Sequence, residues 1–147
     1  MPQFDRNKSL QQLEGQDWGE PTYQSHLVTE CHRLRRVPLR EFTAENLRIM
    51  IGQQLSLSYL IPLALDLLRA DPFTAGDFYE GDLLAMVLRV AAAYWLGHPE
   101  FQREAAEIAE RAFSLLPTLL EEIDRRTAHE ALSEAYDVFK RAKTTAA

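Results

Sequence analysis

The stretch Phe42 to Leu68, FTAENLRIMIGQQLSLSYLIPLALDLL, constrains the fold more than any other part of the chain. It is the densest apolar run, and it contains no lysine and no histidine. Leu47, Met50, Ile51, Gln54 and Leu55 recur at the three-and-four spacing that gathers side chains on one helix face. Thr43 stands where a side-chain oxygen can cap that helix. Gly52, inside it, costs roughly 1 kcal/mol relative to alanine, but it lets another helix approach closely. After the polar pair Ser56 and Ser58, Tyr59-Leu60-Ile61-Pro62-Leu63 opens a second helix. With Ser58 as its cap, Pro62 falls in the first turn, where a missing N–H is harmless. That helix runs to Ala70 and is stopped by Asp71-Pro72. The expectation is an antiparallel helix pair at the hub of one core.

The flanking segments read as helices packed around this hub. Leu10 and Leu13 form a short apolar anchor, and residues 1–9 and 141–147 are expected to be loose. Thr22 or Ser25 can cap a helix from His26 to Arg36, whose stripe of Leu27, Cys31 and Leu34 makes Cys31 a core thiol. Leu83 to Leu96, LLAMVLRVAAAYWL, reads as one buried helix of 14 residues ended by Gly97. Pro99 opens a helix to about Leu115, with Phe101, Ala105, Ile108, Ala112 and Leu115 inward. Pro117 starts the last segment, with Leu119, Leu120 and Ile123 inward. Thr127-Ala128-His129-Glu130 matches a capping box and marks a break before Leu132, Tyr136 and Phe139. No segment alternates as a strand does. The predicted class is therefore all-α: one compact bundle of about five to seven helices over residues 1–147, with no significant sheet.

Composition removes several function classes. A chain of 147 residues with one cysteine needs no disulfide framework and suits a reducing compartment. No apolar run reaches the roughly 18 residues of a membrane span, and the N-terminus lacks a signal-peptide core, so the cytoplasm is the expected location. No phosphate-binding glycine loop, nucleophile elbow or zinc signature occurs, and His26 and His32, six apart, have no second ligand type at metal spacing. Neither cofactor nor metal is expected. The net charge is -6: residues 1–70 balance eight bases with eight acids, whereas residues 71–147 set eight bases against fourteen acids. That asymmetry disfavours nucleic acid as a direct ligand and favours a basic partner, unless it serves solubility alone. The basic set Arg33, Arg35, Arg36 and Arg40 is short, is broken by Val37-Pro38, and suits a helix C-terminus.

Two loops carry the distinctive chemistry. In GQDWGEP, Trp18 either folds back over the core or serves as an exposed anchor flanked by Asp17, Glu20 and Tyr23. In DPFTAGDFYEGD, residues 71–82, the acids Asp71, Asp77, Glu80 and Asp82 stand with Phe73, Phe78 and Tyr79 and no base. One reading has Phe73 and Phe78 plugging the core while Asp77 or Asp82 caps the next helix. Another is a carboxylate site of a small acidic cytoplasmic hydrolase, although nothing else in the chain completes one. An acidic, aromatic loop fits protein binding better, because it combines anchors with charge steering.

Three ordered blocks carry a resemblance. They are KSLQQLEGQDWGEPTYQSHLVTECHRLRR (Lys8 to Arg36), PLREFTAENLRIMIGQQLSLSYLIPLAL (Pro38 to Leu65) and GDFYEGDLLAMVLRV (Gly76 to Val90). With them the chain resembles the helical family of contact-dependent growth inhibition (CDI) immunity proteins over about its first two thirds. The resemblance implies a non-enzymatic antidote that binds the C-terminal toxin domain of a delivered effector, often a nuclease with a basic cleft, and occludes it. Glu80 departs from the proline expected in GDFYPGD, which adds a charge and removes a rigid turn residue. On this reading the toxin-binding residues are Asp17, Trp18, Glu20 and Tyr23 together with Asp71, Asp77, Tyr79, Glu80 and Asp82. The alternative places binding on the acidic helices, at Glu100, Glu104, Glu107, Glu121 and Glu122. A helical adaptor for some other basic protein is the remaining possibility.

Overall fold

The computed structural model describes residues 4–22 and 25–146, with side chains of the last helix to residue 142. Its described residues form eight α-helices and no strand, so the all-α expectation holds. The helices are α1 (Leu10–Glu14), α2 (His26–Leu34), α3 (Ala44–Gly52), α4 (Leu57–Ala70), α5 (Asp82–Leu88), α6 (Ala92–Gly97), α7 (Pro99–Leu115) and α8 (Glu122–Ala146). Short 3-10 turns at Leu39–Glu41 and Leu116–Thr118 join α2 to α3 and α7 to α8.

Capping chemistry sets the first boundaries. Thr43 accepts from the Asn46 N–H at 3.1 Å, and Asn46 Oδ1 accepts the Thr43 N–H at 3.0 Å, closing a reciprocal box at the start of α3. Ser25 caps α2 through the Val28 N–H at 3.1 Å. Leu47, Met50 and Ile51 of α3 are buried, as their spacing predicts. Gln54 differs. It lies beyond the helix at φ +58, exposed, with its side-chain oxygen 3.1 Å from the Ala91 N–H. Gly52 lets α5 approach: a Cβ there would stand 3.1 Å from Met86 Sδ. Helix α4 begins at Leu57, so Pro62 is its sixth residue and not a first-turn residue. The carbonyl it leaves without a helical partner belongs to Ser58, an exposed residue that water reaches.

The apolar run Leu83–Leu96 is not one helix. It breaks at Arg89–Ala91, where Ala91 is extended and gives its N–H to Gln54. Conversely, α8 runs unbroken through Thr127, because Ala128, Leu132, Ala135 and Phe139 form one continuous buried stripe. Helix α5 packs most extensively on α8 and α3, with α4, α6 and α7 closing the rest of the core. Trp95, fully buried, meets Phe139 edge-on at 5.4 Å, and side chains of this size each contribute about 1.5–3 kcal/mol when withdrawn from water. Cys31 is buried as expected, and burial pushes its thiol pKa up.

Candidate protein-binding surface

The GDFYEGD loop is built from underneath. Asp82, only 2% exposed, opens α5 and turns its carboxylate back into the loop. It accepts N–H groups from Gly76 at 2.6 Å and Phe78 at 3.0 Å, with Tyr79 N at 3.5 Å. Glu45, in the first turn of α3, accepts the Asp77 N–H at 2.9 Å. Arg48, one turn on, forks onto Glu45 with both contacts at 2.6 Å and brings Nε within 4.0 Å of Asp82. The hydrogen bonds from Arg48 hold Glu45 below the usual carboxylate range, and the same bonds raise the Arg48 pKa. Gly76 fits because it has no Cβ: one would stand 2.4 Å from Glu45 Oε1. An acidic cluster that looks repulsive in sequence is thus neutralised by one guanidinium and four backbone amides.

Above this latch the loop presents its side chains. Phe78 does not plug the core. It is 69% exposed, its ring 4.4 Å from the Arg48 guanidinium carbon, while Phe73 alone is buried. Asp77 is exposed, and Tyr79 and Glu80 are half-buried. Burial raises the Tyr79 pKa, with Asp82 reinforcing the shift. Asp71 is exposed at the end of α4, and its carboxylate accepts the Phe73 N–H at 2.9 Å.

The earlier loop rests on α2. Arg35, 2% exposed, pairs with Glu14, donates to the Gln16 carbonyl at 3.0 Å, and lies 4.3 Å from the Trp18 ring centroid. Trp18 also meets His32 edge-on at 5.1 Å and keeps 38% exposure. Arg36 lies 3.8 Å from Asp17 and 3.6 Å from Glu20. Arg33 pairs with Glu30. The basic set of α2 is therefore occupied within the chain. Tyr23 lies outside the described residues. The structure anchors the two loops at opposite ends of α3: the first through Glu14 and Ser56 (3.1 Å), just past its C-terminal end, and the second through Glu45 at its start. About 12 Å of helix separates those anchors.

The acidic helices divide by engagement. Glu104 pairs with Arg69 across α4 and α7, whereas Glu100 and Glu107 are exposed on α7 around a charged groove of about 430 Å³. Glu122 pairs with Arg126 at 3.3 Å, and Glu121 is exposed. Nearby, Leu120 and Ile123 do not face inward: they are 92% and 63% exposed. The buried stripe of α8 starts only at Ala128, so Ile123 lies ahead of the part of the helix that packs on the core. Leu27, expected on the inward stripe of α2, and Leu96, expected in a buried helix, are also exposed, at 42% and 59%, so with Phe78, Leu120 and Ile123 they are the outward residues that sequence patterning misses. Nothing in a loop or a helix's first turn distinguishes an apolar residue that packs from one that is displayed.

Among the described residues no group of three or more His, Cys, Asp or Glu side chains is placed to hold a metal ion, and no helix is long and apolar enough to cross a membrane. No curated protein and no solved structure matches the chain. The sequence profile of the CDI immunity proteins does match it, over residues 12–105, which contain α2, the hub and the whole GDFYEGD loop. On that match, covering well over half of its length, the chain belongs to the family of CDI immunity proteins.

Proposed function

We propose that this chain binds the C-terminal toxin domain of a CDI effector in the cytoplasm and neutralises it by steric and electrostatic occlusion, without chemistry of its own. The observation that carries this reading is the latched loop. Asp82, Glu45 and Arg48 hold its backbone from below, so Phe78 and Asp77 are displayed in a fixed arrangement. A preorganised aromatic anchor beside carboxylates loses little conformational freedom on binding and steers a basic partner toward it. A nuclease cleft, basic because it accommodates phosphates, is the toxin surface that best complements it. The same geometry argues against the hydrolase reading. The Asp82 carboxylate is sealed by three amides and a guanidinium, so it cannot meet a substrate as acid or base.

The test is co-purification with the toxin domain encoded beside the chain, followed by a nuclease inhibition assay. The reading expects a one-to-one complex and loss of nuclease activity at equimolar ratio. A folded chain that neither binds nor inhibits that domain would refute it.

A further inference from the structure

Among the described residues the three most exposed large apolar side chains are Leu120, Phe78 and Ile123, at 92%, 69% and 63%. Phe78 belongs to the latched loop; the other two stand at the corner where α7 passes into α8. That corner is pinned. Arg125 donates to the carbonyl oxygens of Leu119 and Leu120, the latter at 3.0 Å, and Thr118 Oγ1 donates to the Leu115 carbonyl at 2.6 Å. Leu119 packs on the core, so Leu120 is held outward. Beside it lies an open groove of about 790 Å³, floored by Leu116 and Pro117 and walled along α8 by Arg126, His129, Glu130 and Glu134. Ile123 shares a helix face with Arg126 and Glu130.

The far end of the groove reaches the loop. Glu134 lies 3.7 Å from Arg89, at the end of α5. Both charges act on the Tyr79 hydroxyl of the loop, Arg89 lowering its pKa and Glu134 raising it. From Ile123 to Glu134 helix α8 rises about 16 Å. An ordinary interface covers about 800 Å² on each partner, so one partner can span loop and corner together. Between Glu121 and Glu134 there are five acids and two bases, a net of -3, and Arg125 is already committed to backbone carbonyls. A basic partner complements that surface, whereas a second copy of a chain carrying -6 would bring like charge to it.

We infer that the toxin-binding surface runs from the GDFYEGD loop along α8 to this corner, where Leu120 and Ile123 anchor a basic toxin domain and the groove receives one of its side chains. The inference rests on the immunity reading and says which surface distinguishes one toxin from another. The corner lies outside the matched residues 12–105, so the shared pattern places no demand on its sequence.

The test titrates a catalytically inactivated toxin domain, encoded beside the chain, into wild type, Leu120→Ala, the double variant Leu120→Arg/Ile123→Arg, and Leu67→Ala as a control on α4 with 39% exposure. Leu67→Ala binds as wild type does. Leu120→Ala weakens binding about 10-fold and the double variant about 100-fold, with thermal unfolding unchanged. Equal affinity of wild type and double variant overturns the inference while leaving the immunity reading intact. Absence of binding by wild type overturns both. A wild-type dimer that the double variant dissolves assigns the corner to a second copy and also overturns the inference.

Discussion

Replacing Asp82 with asparagine removes one of the two acceptor oxygens on which the loop is hung. Oδ1 accepts the Gly76 N–H at 2.6 Å, and Oδ2 accepts the Phe78 N–H at 3.0 Å with Tyr79 N at 3.5 Å. Whichever way the amide is turned, its NH2 faces a backbone N–H, and the bond that survives loses its charge assistance. A hydrogen bond to an ionised group contributes about 1.5–3 kcal/mol. Loss of one and weakening of the other therefore costs about 3 kcal/mol, and Asp82→Ala, which loses both, about 4 kcal/mol. Arg48 keeps Glu45 as its partner, so no orphaned cation adds to the cost. For a chain of this length about 3 kcal/mol lowers the melting temperature by roughly 9 °C. Urea titration reads the cost as a lower midpoint at unchanged slope. Amide exchange at Phe78 and Tyr79 accelerates more than exchange in the Trp95 core. An asparagine variant within about 0.5 kcal/mol of wild type would refute the latch.

Other consequences follow from the same geometry. Gly76→Ala drives a methyl group to 2.4 Å from Glu45 Oε1, and urea titration should show a loss of about 2 kcal/mol. Glu45 has its folded pKa lowered by the Arg48 hydrogen bonds from its ordinary value of 4.5, so its contribution is fully present above that value and lost as pH falls through the folded one. The stability gap between wild type and Glu45→Gln should therefore hold at neutral pH and close as pH falls below 4.5 through the lowered folded value, measured by denaturant titration across the acid range. Phe78→Ala removes a side chain that is 69% exposed. Calorimetry should give toxin affinity about 10-fold weaker, with stability reduced by no more than the roughly 0.5–1 kcal/mol of its contact with Arg48.

Much of the fold was legible because local chemistry and global packing agree in it. Thr43 and Ser25 cap where they stand, Pro99 starts α7, and Cys31 and the Leu47–Ile51 face are buried. Two of the misread helix boundaries share one cause: a distant partner overruled a local signal. The capping box at Thr127 lost to the buried stripe from Ala128 to Phe139. The apolar run 83–96 carries no glycine or proline to announce its break, which is fixed by Gln54, a residue 37 positions from Ala91. The site was half legible. The acids of residues 71–82 marked the loop, but burial alone separates Asp82, which holds it, from Asp77, which it displays. Phe73 and Phe78 are alike in composition and opposite in exposure, and only the closed latch decides which of them faces out.

A latched loop and an α7–α8 corner that form one face for a toxin domain are protected together when that domain binds. Hydrogen exchange of the chain, alone and saturated with the inactivated toxin domain encoded beside it, tests this most directly. With one such face, exchange slows at residues 76–80 and from Leu119 through the first turns of α8, with α2 and the loop at Asp17–Glu20 unchanged. Protection confined to α2 and that earlier loop, in a chain that binds the toxin domain tightly, would contradict it.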